Sequence, residues 1–177
     1  WFVKDALKYV PGIGWGLQFL DCVFLKRNWL KDKEHIFKTF ATYRACETPF
    51  WLVSFPEGTR ISPRKVLAQT KLAKARGWPT FTRVLPPKSK GFAAAVQGLD
   101  GCCSAVYDLT IAFTGGIPSL AELLLGQCED VHIHCERFPL ETLSRDDEDL
   151  RTWLFTRYEV KDKMLEFFSR HGVFYLP

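Results

Sequence analysis

The sequence lacks an apolar run long enough to cross a bilayer. The nearest candidate, Trp15 to Leu25, is interrupted by Gln18 and Asp21, whereas a span needs ~18 uninterrupted apolar residues. These residues are therefore not expected to cross a membrane on their own. A signal-peptide layout is missing too, because Lys4, Asp5 and Lys8 fall where an apolar stretch would be required. Methionine is scarce: Met164 is the single one, and the sequence opens on Trp1, so it reads as a piece of a longer protein. The six cysteines (Cys22, Cys46, Cys102, Cys103, Cys128 and Cys135) show no C-x2-C spacing. That removes the usual zinc and redox patterns and points to reduced thiols in a cytosol-facing domain. Repeats and low-complexity tracts are absent. With 47% hydrophobic and 25% charged residues in 177, the chain is neither disordered nor fibrous, and one packed domain over residues 1–177 is expected.

Acidic residues are missing from Gly58 to Leu99, a stretch carrying Arg60, Arg64, Lys65, Lys71, Lys74, Arg76, Arg83, Lys88 and Lys90. From Glu129 to Asp149 the balance reverses, with carboxylates outnumbering Arg137 and Arg145. The net charge of +4 conceals this division. A cationic surface facing an anion is one explanation, and a solvated helix with charges on its outer face is the other. Aromatic residues do not interleave with the basic stretch as a base-stacking platform requires, so nucleic acid is not the expected partner.

Helix-like and strand-like segments alternate. Val23 to Leu25 suits a short buried strand, and Trp29 to Tyr43 has apolar residues at helical spacing. Phe50 to Phe55 is an apolar, β-rich run expected as a strand buried on both faces. Ser62-Pro63 opens a helix expected to run to Arg76, where Gly77 stops it. Val84-Leu85 reads as a short strand, Gly91 to Gln97 as a helix, and Ser104 to Phe113 and Val131 to Phe138 as strands. Pro118 to Leu125 and Asp149 to Arg170 read as helices. The pattern predicts an α/β domain built on a mostly parallel sheet flanked by helices.

Glu57-Gly58-Thr59-Arg60 follows the expected Phe50 to Phe55 strand, at the end where ligands sit in open α/β sheets. Glycine permits close backbone approach, threonine and arginine suit a phosphate, and the carboxylate can orient the arginine. A tight turn with a Glu/Arg surface pair is the plain alternative. Ahead of this block, Lys4, Leu7, Gly14 and Arg27 form a K-x2-L-x6-G-x12-R pattern, and behind it lies L-P-P-K-S-K-G-F from Leu85 to Phe92.

Together these ordered blocks resemble the 1-acyl-glycerol-3-phosphate acyltransferase family over nearly the whole chain. Val106 to Thr110 and the His132-Ile133-His134 strand resemble its plant- and alga-like eukaryotic branch. The resemblance implies that Lys4 and Arg27 serve the phosphate of lysophosphatidate. It also implies that Glu57, Gly58, Thr59 and Arg60 hold the glycerol phosphate. Pro87 and Lys88 match a block linked to the acyl-accepting or acyl-CoA side. Lys88 stands where the family often has arginine, which weakens bidentate recognition there. Leu7 and Gly14 are expected to pack rather than to touch ligand.

The implied reaction moves a fatty acyl group from a thioester to a lysophospholipid hydroxyl and needs a base there. In the family that base is the histidine of an H-x4-D block. The residues five after His35, His132, His134 and His171 are Phe40, Arg137, Pro139 and Leu176, so none makes the block. These 177 residues alone are expected to be inactive, with the catalytic pair upstream. No cofactor is implied beyond acyl-CoA as co-substrate. The endoplasmic reticulum membrane is the implied location, with Trp1, Phe2, Trp15, Phe19 and Trp29 suited to a headgroup zone. An acyltransferase for another lysophospholipid, such as lysocardiolipin, and a non-catalytic lipid-phosphate-binding module remain as alternatives. Cys128, His132, His134 and Cys135 match no standard zinc spacing and are expected as a polar strand face. Cys102 and Cys103 are expected to be structural.

Overall fold

The computed structural model describes residues 2–20, 22–25, 29–46, 50–127 and 130–174, which form two separate two-stranded sheets with helices packed around them. In the first sheet β1 (Phe2–Lys4) pairs in parallel with β2 (Val23–Leu25). A 3-10 turn (Asp5–Tyr9) and helix α1 (Ile13–Phe19) connect them. Gly14 is buried, and a Cβ there would lie 2.1 Å from the Lys8 carbonyl oxygen, so this glycine packs the turn against α1. Leu7 is 37% exposed, which is less packing than expected of it.

Helix α2 (Trp29–Cys46) leads to an extended segment at residues 50–55. Helix α3 (Pro63–Arg76) follows, with proline in its first turn and Gly77 closing it at φ 64°. These signals act as the sequence suggests, since proline's fixed φ suits a helix start and glycine accepts the left-handed end. Helix α4 (Ser89–Gly98) precedes the second sheet, in which β3 (Ala105–Phe113) pairs antiparallel with β4 (Val131–Pro139). The short helix α5 (Leu120–Leu124) lies between these strands, and α6 (Asp147–His171) ends the fold. Asp146 caps α6 by accepting from the Glu148 and Asp149 N–H groups, which moves its start ahead of the expected Asp149.

The core has two parts that meet at α4. Phe92, Ala93 and Val96 pack with Leu150, Leu154 and Tyr158 of α6, and with Phe81 and Val84. Ala94 packs with Leu99, Val23 of β2, and Ile36 and Phe40 of α2. Gly98 permits this approach, because a Cβ there would lie 2.5 Å from the Phe40 ring.

The mostly parallel sheet is corrected by this topology: among the described residues the longer pairing is antiparallel, and two expected strands join no ladder. Phe50 to Phe55 alternates instead of being buried on both faces. Phe50 and Leu52 pack against the β2–α2 core, while Trp51 and Phe55 are exposed. Val84 and Leu85 are buried, but side-chain carboxylates replace a neighbouring strand as acceptors for their N–H groups. The β3–β4 hairpin carries its polar residues inward. Asp108, Thr110 and Glu136 hydrogen-bond to α6, and the His132 ring packs on Phe168. Leu109, Ile111, Val131 and Ile133 are left exposed on the other face.

Candidate functional site

Pro56 and Glu57 occupy the bend of a tight turn in which the Gly58 N–H donates to the Phe55 carbonyl at 2.9 Å. Proline at the first corner fixes the bend, and Gly58 takes the left-handed φ of 64° that other residues avoid. The turn is joined to the Leu85–Phe92 block by two hydrogen bonds. The Lys88 N–H donates to the Pro56 carbonyl at 2.8 Å, and the Leu85 N–H donates to Glu57 Oε2 at 3.1 Å. Glu57 is thus committed to Leu85, and the Glu/Arg surface pair does not form.

Lys88 lies across Gly58: a Cβ there would sit 3.2 Å from Lys88 Nζ. Thr59 Oγ1 accepts from Lys65 Nζ at 2.6 Å, and the same ammonium donates to the Arg60 carbonyl at 2.8 Å. Arg60 is exposed, and its guanidinium makes no ion pair among the described residues. Pro87 is buried beneath this surface. Helix α4 starts one residue after Lys88, adding the positive end of its dipole to the same place.

Beneath the turn stands a polar layer from α6. Burial pushes the Glu57 carboxyl above the ordinary carboxylate range, opposed by the Leu85 N–H and by the charge of Lys161. The phenol of Tyr158 interacts with the Glu57 backbone, and burial raises its pKa strongly. Lys161 Nζ lies 2.7 Å from Asp108 Oδ1 and donates to the Leu109 carbonyl at 2.6 Å and to Thr110 Oγ1 at 3.2 Å. Arg157 Nε pairs with Asp108 Oδ2 at 2.9 Å, and its other arm pairs with Glu136. Asp162 Oδ1 accepts from the N–H groups of Thr82, Arg83 and Val84 at 2.9, 2.6 and 3.2 Å.

The sequence-predicted residues therefore divide. Glu57, Gly58, Thr59, Arg60, Pro87 and Lys88 come together in one surface. Lys4 ends β1, its backbone in register with Leu25, and Arg27 lies outside the described residues. Sequence reasoning missed Lys65, Tyr158, Lys161 and Asp162. A readable signal existed for Lys161, which interrupts the buried stripe Leu150, Leu154, Tyr158, Met164 and Phe168 of α6. Burial raises the Cys103 thiol to about 11, which leaves it protonated and inert at neutral pH.

The geometry gathers Arg60, Lys65 and Lys88 around the Gly58 turn of a mixed α/β domain, with the Glu57 carboxylate taken up by the Leu85 N–H. A family model described as acyltransferase matches residues 1–114, and another described as acyltransferase C-terminus matches residues 122–176. The chain belongs to the acyltransferase family. It is 36% identical over 172 residues to human 1-acyl-sn-glycerol-3-phosphate acyltransferase gamma, covering 97% of this chain and 46% of that protein. It is 32% identical over 166 residues to Arabidopsis thaliana 1-acyl-sn-glycerol-3-phosphate acyltransferase 2, covering 93% and 43%. The chain spans a little under half the length of these curated relatives. No solved structure matches it.

Proposed function

We propose that this chain is the acceptor-binding part of an enzyme that transfers a fatty acyl group from acyl-CoA to the sn-2 hydroxyl of lysophosphatidate, giving phosphatidate. The observation that carries the proposal is the union of the Glu57–Arg60 turn with Lys88 across Gly58, a surface with cations and no exposed acid of its own. The relatives named for acylation of 1-acyl-sn-glycerol-3-phosphate support the same substrate. Arg60 and Lys88 hold the phosphate, Thr59 and the Gly58 backbone approach it, and Lys4 and Arg27 add positive charge for it. Pro87 sets the direction of the chain into Lys88.

The acceptor hydroxyl attacks the thioester carbonyl while a base takes its proton, and the thiol of CoA leaves with a proton returned to it. That base is a histidine paired with an aspartate in a segment of the protein other than these 177 residues. The enzyme works at the endoplasmic reticulum membrane with this domain facing the cytosol. Trp15 and Phe19, 70% and 87% exposed, suit contact with the headgroup zone.

The test is Arg60→Ala in the full-length protein with lysophosphatidate as acceptor. A rise of at least tenfold in acceptor KM is expected, since a charged hydrogen bond is lost. Unchanged kinetics remove Arg60 from the site. Activity on lysocardiolipin but not lysophosphatidate moves the proposal to another headgroup, and lipid binding without turnover makes the protein a binding module.

A further inference from the structure

We propose that Lys65 of α3 is a positioning residue for the acceptor site, fixing the Thr59 hydroxyl and the Arg60 backbone in the form that receives the phosphate. This role rests on the acceptor-site assignment above and adds a residue which that assignment does not use. Its basis is direct contact. Lys65 Nζ donates to Thr59 Oγ1 at 2.6 Å and to the Arg60 carbonyl at 2.8 Å. One ammonium thus holds two consecutive residues that the site assigns to the ligand.

The placement follows from helix geometry. Lys65 is the third residue of α3, and long side chains on a helix lean back toward its N-terminus, here over the segment that enters α3. Helix electrostatics do not account for a lysine at this position, because a first turn favours carboxylates. The first turn of α3 has no acidic residue, and the Ser62 side chain makes no capping hydrogen bond. Among the described residues Lys65 forms no ion pair either, so its two partners are the oxygens of residues 59 and 60.

An ammonium donates and cannot accept, so the Thr59 oxygen is the acceptor of that bond. The hydroxyl proton is left for another acceptor, and a phosphate oxygen at the Gly58 turn is the one a ligand would bring. The second bond fixes the Arg60 peptide, and with it the point from which the exposed guanidinium extends. The anchor is itself rigid, since the Lys65 and Val66 N–H groups donate to the Ser62 carbonyl at 2.9 and 3.0 Å. Two binding groups are therefore ordered before the ligand arrives, which lowers the entropy lost on binding.

The experiment compares Lys65→Met, Lys65→Arg, Thr59→Val, the double variant Thr59→Val/Lys65→Met and the control Lys71→Met in the full-length protein, with lysophosphatidate as acceptor. Lys65→Met is expected to raise acceptor KM about tenfold, the scale of one lost charged hydrogen bond, while acyl-CoA KM, kcat and the urea midpoint stay unchanged. Lys65→Arg can still donate to both oxygens and should recover most of the loss. In the double variant the combined loss should fall well short of the product of the two single losses, because the residues act as one unit. Lys71→Met removes the same charge from an exposed position further along α3 and should leave acceptor KM unchanged.

An unchanged acceptor KM in Lys65→Met, or single losses that multiply in the double variant, overturns the role. So does an equal rise in Lys71→Met, which would make the effect one of total charge. A rise in both KM values with a lowered urea midpoint would make Lys65 a purely structural lysine. If the wild type fails to acylate lysophosphatidate, the acceptor assignment falls and this role falls with it. Turnover by the wild type together with any of the overturning results removes Lys65 alone and leaves the acceptor assignment standing.

Discussion

Arg157 and Lys161 on α6, and Arg60 and Lys88 at the Gly58 turn, are the same two kinds of cation in opposite situations. The α6 pair is almost enclosed, and every contact described for it is to an acceptor on β3 or β4 or to the Phe138 ring. The turn pair is exposed and has no ion pair among the described residues. Composition alone counts all four alike. The difference teaches that a cation's partners, not its presence in a basic stretch, separate a residue that holds the fold from one left for a ligand.

The largest effect should come from breaking the enclosed set. Asp108→Ala removes the carboxylate shared by Arg157 and Lys161 and leaves the buried Lys161 ammonium without its counter-ion. It should cost about 3 kcal/mol of unfolding free energy, read as a shift in the urea midpoint. A loss under about 0.5 kcal/mol, typical of surface sites, would show that the enclosed pair holds nothing. The exposed set should behave oppositely. Lys88→Ala should leave the midpoint unmoved and weaken binding to lysophosphatidate vesicles about fivefold, the loss of one charged contact in partial solvent. A destabilised variant with unchanged lipid affinity would place Lys88 with the structural cations.

The sequence revealed much of this by local signals and little of it by pairing. Pro63 and Gly77 mark the bounds of α3 because backbone dihedrals enforce them. The β3 and β4 segments show their period-2 alternation, but alternation does not say which face turns inward. Asp108, Thr110 and Glu136 face α6 because Arg157 and Lys161 meet them there, 49 and 51 residues away for the β3 pair and 21 for Glu136. Strand direction was misjudged for the same reason, since a helix between two strands usually implies a parallel crossover and here α5 sits within an antiparallel hairpin. In the candidate site, the Glu57–Arg60 block was readable from its residue types and Lys88 only through the family resemblance, whereas the α6 layer beneath them is a tertiary fact. A lysine in an apolar stripe was its one trace.

The titration of Glu57, in the turn that carries Arg60, gives the smallest effect. Burial raises its folded-state pKa above the ordinary value of 4.5, with Lys161 opposing the rise only in part. Between 4.5 and the raised value the folded protein holds more protons on this group than the unfolded chain does. Stability therefore falls as pH rises through that window, and the contribution is fully present only below it. Glu57→Gln keeps a carbonyl acceptor for the Leu85 N–H but cannot titrate. Urea midpoints measured from pH 4 to pH 7 should thus fall away more steeply with rising pH in the wild type than in Glu57→Gln. In Lys161→Met the wild-type slope should steepen further, because the cation that favours the charged form is gone. Parallel curves for all three proteins would mean that Glu57 is solvated like any surface carboxylate.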